Sequence, residues 1–109
     1  MLLCLDIGNS QIYGGVYDEG TLKATFRRTS SVRASSDEYG TFFRAVLREN
    51  EIDPAGITMA AVCSVVPDVL HSLRNCFTRY FGFELFVLQP GVKTGLKIKY
   101  RNPSEMGAD

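Results

Sequence analysis

Two stretches of this chain combine acidic, hydroxyl and glycine residues in a way that suits chemistry on an anion. The first is Asp6-Ile7-Gly8-Asn9-Ser10. Gly8 has no Cβ, so the backbone there can lie close to a phosphate, and Asn9 and Ser10 add side-chain and main-chain donors. Asp6, at the end of an apolar run, could hold Mg²⁺ directly or through water. The same five residues also read as a plain turn, because Gly-Asn between two strands is a common tight hairpin. On those residues alone the turn is the simpler reading. The second stretch holds Pro90-Gly91-Val92-Lys93-Thr94-Gly95, then Tyr100, Asn102-Pro103 and finally Gly107-Ala108-Asp109. Two small residues before an acid let the backbone lie against a ligand while the carboxylate reaches a hydroxyl. That acid could take the proton and orient the oxygen for in-line attack. Lys93 suits a carboxylate or a phosphate, although a solvated connector fits its loop equally well. Tyr100 by itself reads as a strand-end aromatic packed on the core.

The elements that must position these residues follow from periodicity. Residues 1–7 form an apolar run ended by a polar turn, the pattern of a strand buried on both faces. A second strand spans residues 11–18 and carries Gly14-Gly15, and Asp18-Glu19-Gly20 makes a short hairpin loop. In a third strand, residues 21–28, Leu22, Ala24 and Phe26 alternate with Lys23, Thr25 and Arg27. Ser35 and Glu38 offer a capping box, after which Tyr39, Phe42, Phe43, Val46 and Leu47 recur at helical spacing over residues 37–50. Asp53-Pro54-Ala55-Gly56 breaks that helix, and residues 58–64 read as another buried strand. Pro67 opens a second helix with the stripe Leu70, Leu73, Phe77, Tyr80 and Phe81, and Gly82 stops it. Residues 84–88 make a fifth strand and residues 96–100 a short sixth. The order β-β-β-α-β-α-β predicts an α/β domain, a mixed sheet with helices packed on it.

Taken together, the two stretches resemble the motifs of the type III pantothenate kinases, members of the acetate and sugar kinase/Hsp70/actin superfamily. That family's first motif reads Asp-x-Gly-Asn-Thr/Ser. Its second reads Pro-Gly-x-x-Thr-Gly, a Tyr, Asn-Pro and Gly-Ala-Asp-Arg, and every part of it stands here except the Arg that would follow Asp109. The resemblance covers the whole chain and reverses the choice at the first turn, making it a phosphate loop. It implies an actin-like (ribonuclease H-like) domain and ATP contacts along Asp6, Ile7, Gly8, Asn9, Ser10, Gln11, Ile12 and Tyr13. It implies Mg²⁺ at Asp6, a pantothenate pocket lined by Tyr100, Gly107, Ala108 and Asp109, and Asp109 as the general base. The implied reaction moves the ATP γ-phosphoryl group to pantothenate, giving 4′-phosphopantothenate, the first step toward coenzyme A. A monovalent cation, K⁺ or NH₄⁺, and a homodimer come with the family. The expected organisation is the N-terminal half of a two-domain kinase whose C-terminal domain is absent, so that residues 1–109 alone are expected to be inactive. Two other readings share parts of the pattern. Relatives acting as accessory factors for transcription regulators would keep the fold, and another actin-like sugar or acid kinase would keep the Asp-x-Gly loop without the second motif.

Bulk composition narrows the classes further. The 109 residues are 45% apolar and 22% charged, the proportions of an ordinary globular domain. Twelve basic residues balance twelve acidic ones, so no overall field draws the chain to nucleic acid or to anionic lipid. No helix-turn-helix spacing accompanies that neutrality. Residues 1–5 are too short an apolar run for a signal peptide or a membrane span. Cys4, Cys63 and Cys76 lack metal-ligand spacing and read as reduced packing residues, which predicts a cytoplasmic protein. Arg27, Arg28 and Arg33 read as a solvated basic loop, and His71 as a surface histidine. Ser64-Val65-Val66-Pro67, between a strand and a helix, could border a cleft with its backbone, and no Ser/His/Asp arrangement surrounds it.

Overall fold

The computed structural model of the chain describes residues 1–31, 33–64 and 66–88. Among the described residues there are five strands: β1 (Leu2–Ile7), β2 (Gln11–Asp18), β3 (Thr21–Thr29), β4 (Met59–Ser64) and β5 (Phe86–Leu88). Helix α1 (Ser36–Glu49) follows β3, a short 3₁₀ turn (Pro54–Gly56) precedes β4, and helix α2 (Pro67–Tyr80) links β4 to β5. The element order is therefore the expected β-β-β-α-β-α-β. The sixth strand anticipated at residues 96–100 lies outside the described residues.

The sheet runs β3-β2-β1-β4-β5. β2 is antiparallel to both β1 and β3, whereas β4 is parallel to β1 and to β5. The β2–β3 connection is a two-residue hairpin in which Glu19 (φ 51°) and Gly20 (φ 82°) both take positive φ, as the twist of such a turn requires. Alternation along β1 sends Leu3, Leu5 and Ile7 to one face and Leu2, Cys4 and Asp6 to the other. The first face joins Ile12, Val16, Ala60 and Val62 in one buried core, and both helices pack on it.

Helix α1 starts at the capping box read from sequence. The Glu38 N–H donates to Ser35 Oγ at 3.1 Å, and the Ser35 N–H donates to Glu38 Oε1 at 3.0 Å. Tyr39, Phe43 and Leu47 then fall on one stripe and are fully buried. In α2 the buried stripe is Val69, Leu73, Cys76 and Phe77, centred one position earlier than the apolar pattern suggests. Leu70, Tyr80 and Phe81 are only half-buried, because α2 leans on α1 as well as on the sheet. Gly82 (φ 79°) ends the helix by donating its N–H to the Phe77 carbonyl at 2.9 Å.

Aromatic rings connect the layers. Phe26 of β3 meets Phe42 and Phe43 of α1, and Phe43 stacks on Phe77 of α2 at 5.6 Å between centroids. Two glycines make room for rings. A Cβ on Gly14 would sit 2.2 Å from the Phe26 ring, and one on Gly40 would sit 2.4 Å from that of Tyr80.

β3 departs from the simple alternation. Its register against β2 shifts at Val16/Tyr17, where Val16 faces Ala24 but Tyr17 faces Leu22. The extra residue, Lys23, turns Leu22 away from the core, so Leu22 is 46% exposed while Phe26 packs inside. Leu22, Met59 (53% exposed) and Phe86 (56% exposed) all belong to the face without helices. No helix among the described residues is long and apolar enough to cross a membrane.

Two outcomes follow from this packing. On helix propensity alone, Gly40→Ala would stabilise α1 by roughly 1 kcal/mol. The Tyr80 ring reverses the sign, and chemical denaturation of the variant should show a net loss of about 1–3 kcal/mol. Burial pushes the Cys4 and Cys76 thiols up to about 12, with Cys63 adding a smaller push at Cys4. At pH 8 only on the order of 10⁻⁴ of each is ionised. Iodoacetamide should therefore leave both intact in the native chain and modify them in urea, as mass spectrometry of the peptides would report.

Candidate functional site

β1, β4 and β5 are parallel, so their carboxyl ends fall at one edge of the sheet. There Ile7 stands opposite Ser64, and Cys63 opposite Leu88. β2 begins and β3 ends at the same edge, with Gln11 paired to Thr29. The residues between β1 and β2 cap this edge. Crevices outside the carboxyl ends of strands are where open α/β sheets take ligands. Helix α2 starts just beyond β4, so the positive end of its dipole lies at this edge too.

The turn from Gly8 to Ser10 is held by two backbone hydrogen bonds. The Gly8 N–H donates to the Gln11 carbonyl at 2.8 Å, and the Ser30 N–H donates to the Ser10 carbonyl at 2.9 Å. Asn9 and Ser10 are exposed, and Gly8 and Gln11 are half-buried. Unlike the β2–β3 hairpin, this turn uses no positive φ at Gly8 or Asn9. Among the described residues, a Cβ on Gly8 would meet only the Gln11 carbonyl, at an ordinary 3.4 Å. The fold therefore has no steric need for glycine at position 8, in contrast to Gly14 and Gly40. A bare backbone at an exposed strand-end turn is what close approach by an anion requires.

The eight residues expected to contact ATP are brought to this edge in three groups. Gly8, Asn9 and Ser10 make the turn itself. Ile7 and Ile12 are fully buried in the helix-covered core, so only their main chain can serve a ligand. Asp6, Gln11 and Tyr13 belong to the opposite, helix-free face, with Asp6 half-buried and flanked by Tyr13 on β2 and Cys63 on β4. Among the described residues no three His, Cys, Asp or Glu side chains gather as a metal site.

The arginine reading needs correction. Arg27 and Arg28 are not in a solvated loop but in the last turns of β3, and they point to opposite faces. Arg28 lies 5.2 Å from the ring centroids of Tyr39 and Phe42, and its Nε is buried without a hydrogen-bond partner among the described residues. Arg27 lies over the Tyr13 ring at 5.3 Å, beside the candidate site. β-Alternation hints at this split, but the register that sets Arg27 beside Tyr13 is a tertiary fact. His71 is exposed as expected, 3.5 Å from the Asn75 amide. Tyr100, Gly107, Ala108, Asp109 and Lys93 lie outside the described residues. β5 ends at the carboxyl edge with Leu88, two residues before the second motif begins in the sequence.

Comparison with known proteins identifies the family and the fold. The family model described as type III pantothenate kinase matches residues 2–109. A type III pantothenate kinase of Legionella pneumophila is 57% identical over all 109 residues, and that of Elusimicrobium minutum is 50% identical. The chain spans 42% of the length of each of these curated relatives. Among solved structures, the ROK hexokinase from Thermus thermophilus superposes with a TM-score of 0.59 at 13% identity. That match covers 81% of this chain and 34% of the hexokinase, and it shows the fold alone. The mixed sheet is thus the actin-like one anticipated from the sequence.

Gly8→Ala separates a structural turn from a ligand-binding one. Its unfolding free energy should be unchanged or raised by up to about 1 kcal/mol, since the backbone accepts a side chain there. Its affinity for MgATP, followed by calorimetry, should fall roughly tenfold as the methyl group holds the phosphates off the backbone.

Proposed function

The chain belongs to the type III pantothenate kinase family, and on that premise we propose that its protein phosphorylates pantothenate at the expense of ATP. The product is 4′-phosphopantothenate, the first intermediate on the way to coenzyme A. The observation that carries this reading is the Asp6–Ser10 turn at the carboxyl edge, whose glycine answers no steric or dihedral need among the described residues. In the reaction the terminal hydroxyl of pantothenate attacks the γ-phosphorus in line, its proton passes to the Asp109 carboxylate, and ADP leaves. Main-chain and side-chain donors of Gly8, Asn9 and Ser10 hold the phosphates, and Asp6 orients the nucleotide's divalent ion. With Mg²⁺ as that ion, the site would gain positive charge to offset what builds on the transferred group. Gln11 and Tyr13 extend the nucleotide contact along β2. Tyr100, Gly107 and Ala108 wall the pantothenate pocket around Asp109.

Residues 1–109 are proposed as the N-terminal half of a two-domain, cytoplasmic kinase that works as a homodimer and uses K⁺ or NH₄⁺. Half of a cleft encloses too little of either substrate for catalysis, so these residues alone are expected to turn over negligibly.

The test is ADP release by a chain of the relatives' full length, with ATP, Mg²⁺ and K⁺, with and without pantothenate. Release should depend on pantothenate, and Asp109→Asn should lower kcat by roughly 10²–10⁴-fold with a small change in KM. A folded chain with no pantothenate-dependent release would defeat the proposal.

A further inference from the structure

Register places three polar side chains in one row across the open face of the sheet. Asp6 on β1 stands opposite Tyr13 on β2, and Tyr13 stands opposite Arg27 on β3. Directly opposed residues project from the same face, so the three share the side that carries no helix. Neighbouring strands lie about 4.8 Å apart, which sets the Arg27 and Asp6 backbones on the order of 10 Å from each other. The row runs beside the Gly8–Ser10 turn, and the Ser30–Ser10 hydrogen bond fixes the end of β3 to that turn.

The environment of Arg27 differs from that of the other arginines with known contacts. Arg28 is enclosed by rings on the core face, Arg44 donates to the Tyr80 carbonyl at 3.3 Å, and Arg79 pairs with Asp37 at 3.5 Å. Arg27 is exposed and meets no carboxylate among the described residues; its guanidinium lies over the Tyr13 ring, toward the strand that separates it from Asp6. A cation stacked on a ring gives up some side-chain freedom in advance, while its in-plane N–H groups remain available to an acceptor. MgATP carries net negative charge, so a site for it on this edge is favoured by a cation beside it.

We propose that Arg27, braced by Tyr13, binds the polyphosphate oxygens of the nucleotide seated on the Gly8–Ser10 turn. The assignment rests on the kinase reading of that turn and adds a specific binding residue to it. Arg27 supplies charge-assisted hydrogen bonds to the phosphates, and the Tyr13 ring sets the angle from which they come.

The experiment uses the full-length chain with Arg27→Gln and Arg27→Lys, and with Lys23→Gln as a control for charge on the same strand. Equilibrium MgATP binding, KM for each substrate and the thermal midpoint are measured for all of them. Arg27→Gln should weaken MgATP binding and raise its KM about 10–30-fold, leaving the pantothenate KM within about twofold and the midpoint unmoved. Arg27→Lys should recover only part of that loss, as a point charge without the stacked planar fork, and Lys23→Gln should lose nothing. Unchanged MgATP binding in Arg27→Gln, while Gly8→Ala weakens it, overturns the role of Arg27 and spares the kinase reading. A lowered midpoint with both KM values raised together assigns Arg27 to structure and also overturns the proposal. An unaltered chain that binds no MgATP overturns both.

Discussion

β1 is held between an antiparallel neighbour and a parallel one, and the other placements in the domain follow from that position. Its six residues must satisfy two ladders at once, so it has no freedom to slip. A shift of one residue would send Leu3, Leu5 and Ile7 to the open face and bring Asp6 into the core. The cost of burying a carboxylate without partners is far larger than any gain from repairing the ladder. Asp6 is therefore both a candidate ligand-binding group and a marker that fixes the register. Because β4 and β5 are parallel to β1, the same strand gathers their carboxyl ends around its own.

The helix-covered face is made rigid by rings. Phe26, Phe42, Phe43 and Phe77 run in contact from the sheet through α1 to α2. Gly14 and Gly40 let this packing close, since each lies where a ring occupies the space of a Cβ. Tyr80 does more than fill volume, because its hydroxyl donates to Asp37 Oδ1 at 2.6 Å and ties the end of α2 to the start of α1. That hydrogen bond raises the pKa of the Tyr80 phenol. A packed layer thus lies behind the strands that carry the turn, and preorganised donors are what the proposed phosphoryl transfer would ask of a protein.

The two turns of the β1–β2–β3 meander hold their glycines in different backbone settings. At Gly20 the backbone has positive φ, and the residue is explained by the hairpin. At Gly8 neither dihedral strain nor crowding by the described residues explains it. Local sequence makes the two look alike, since each is a glycine beside a polar residue between strands.

Much of the fold was legible in the sequence. The capping box at Ser35 and Glu38, the strand at residues 11–18 and the stop at Gly82 depend on contacts within a few residues, and each lies where its pattern placed it. The candidate site was legible as a motif, with Asp6 to Tyr13 read in one run. What the run concealed was its division into core, turn and open face, which comes from the pleat of two paired strands. The buried stripe of α2 moved to Val69 and Cys76 because two surfaces, α1 and the sheet, share that helix. Leu22 came out of the core because Lys23 adds a residue to one strand only. Arg27 and Arg28 looked equivalent in a basic stretch and were sent to opposite faces by alternation. By itself the sequence determined the elements, their order and the chemistry available at the first turn, because those rest on short-range spacing. Tertiary structure alone decided which side chains meet, because register joins residues such as Asp6, Tyr13 and Arg27 that no local pattern connects.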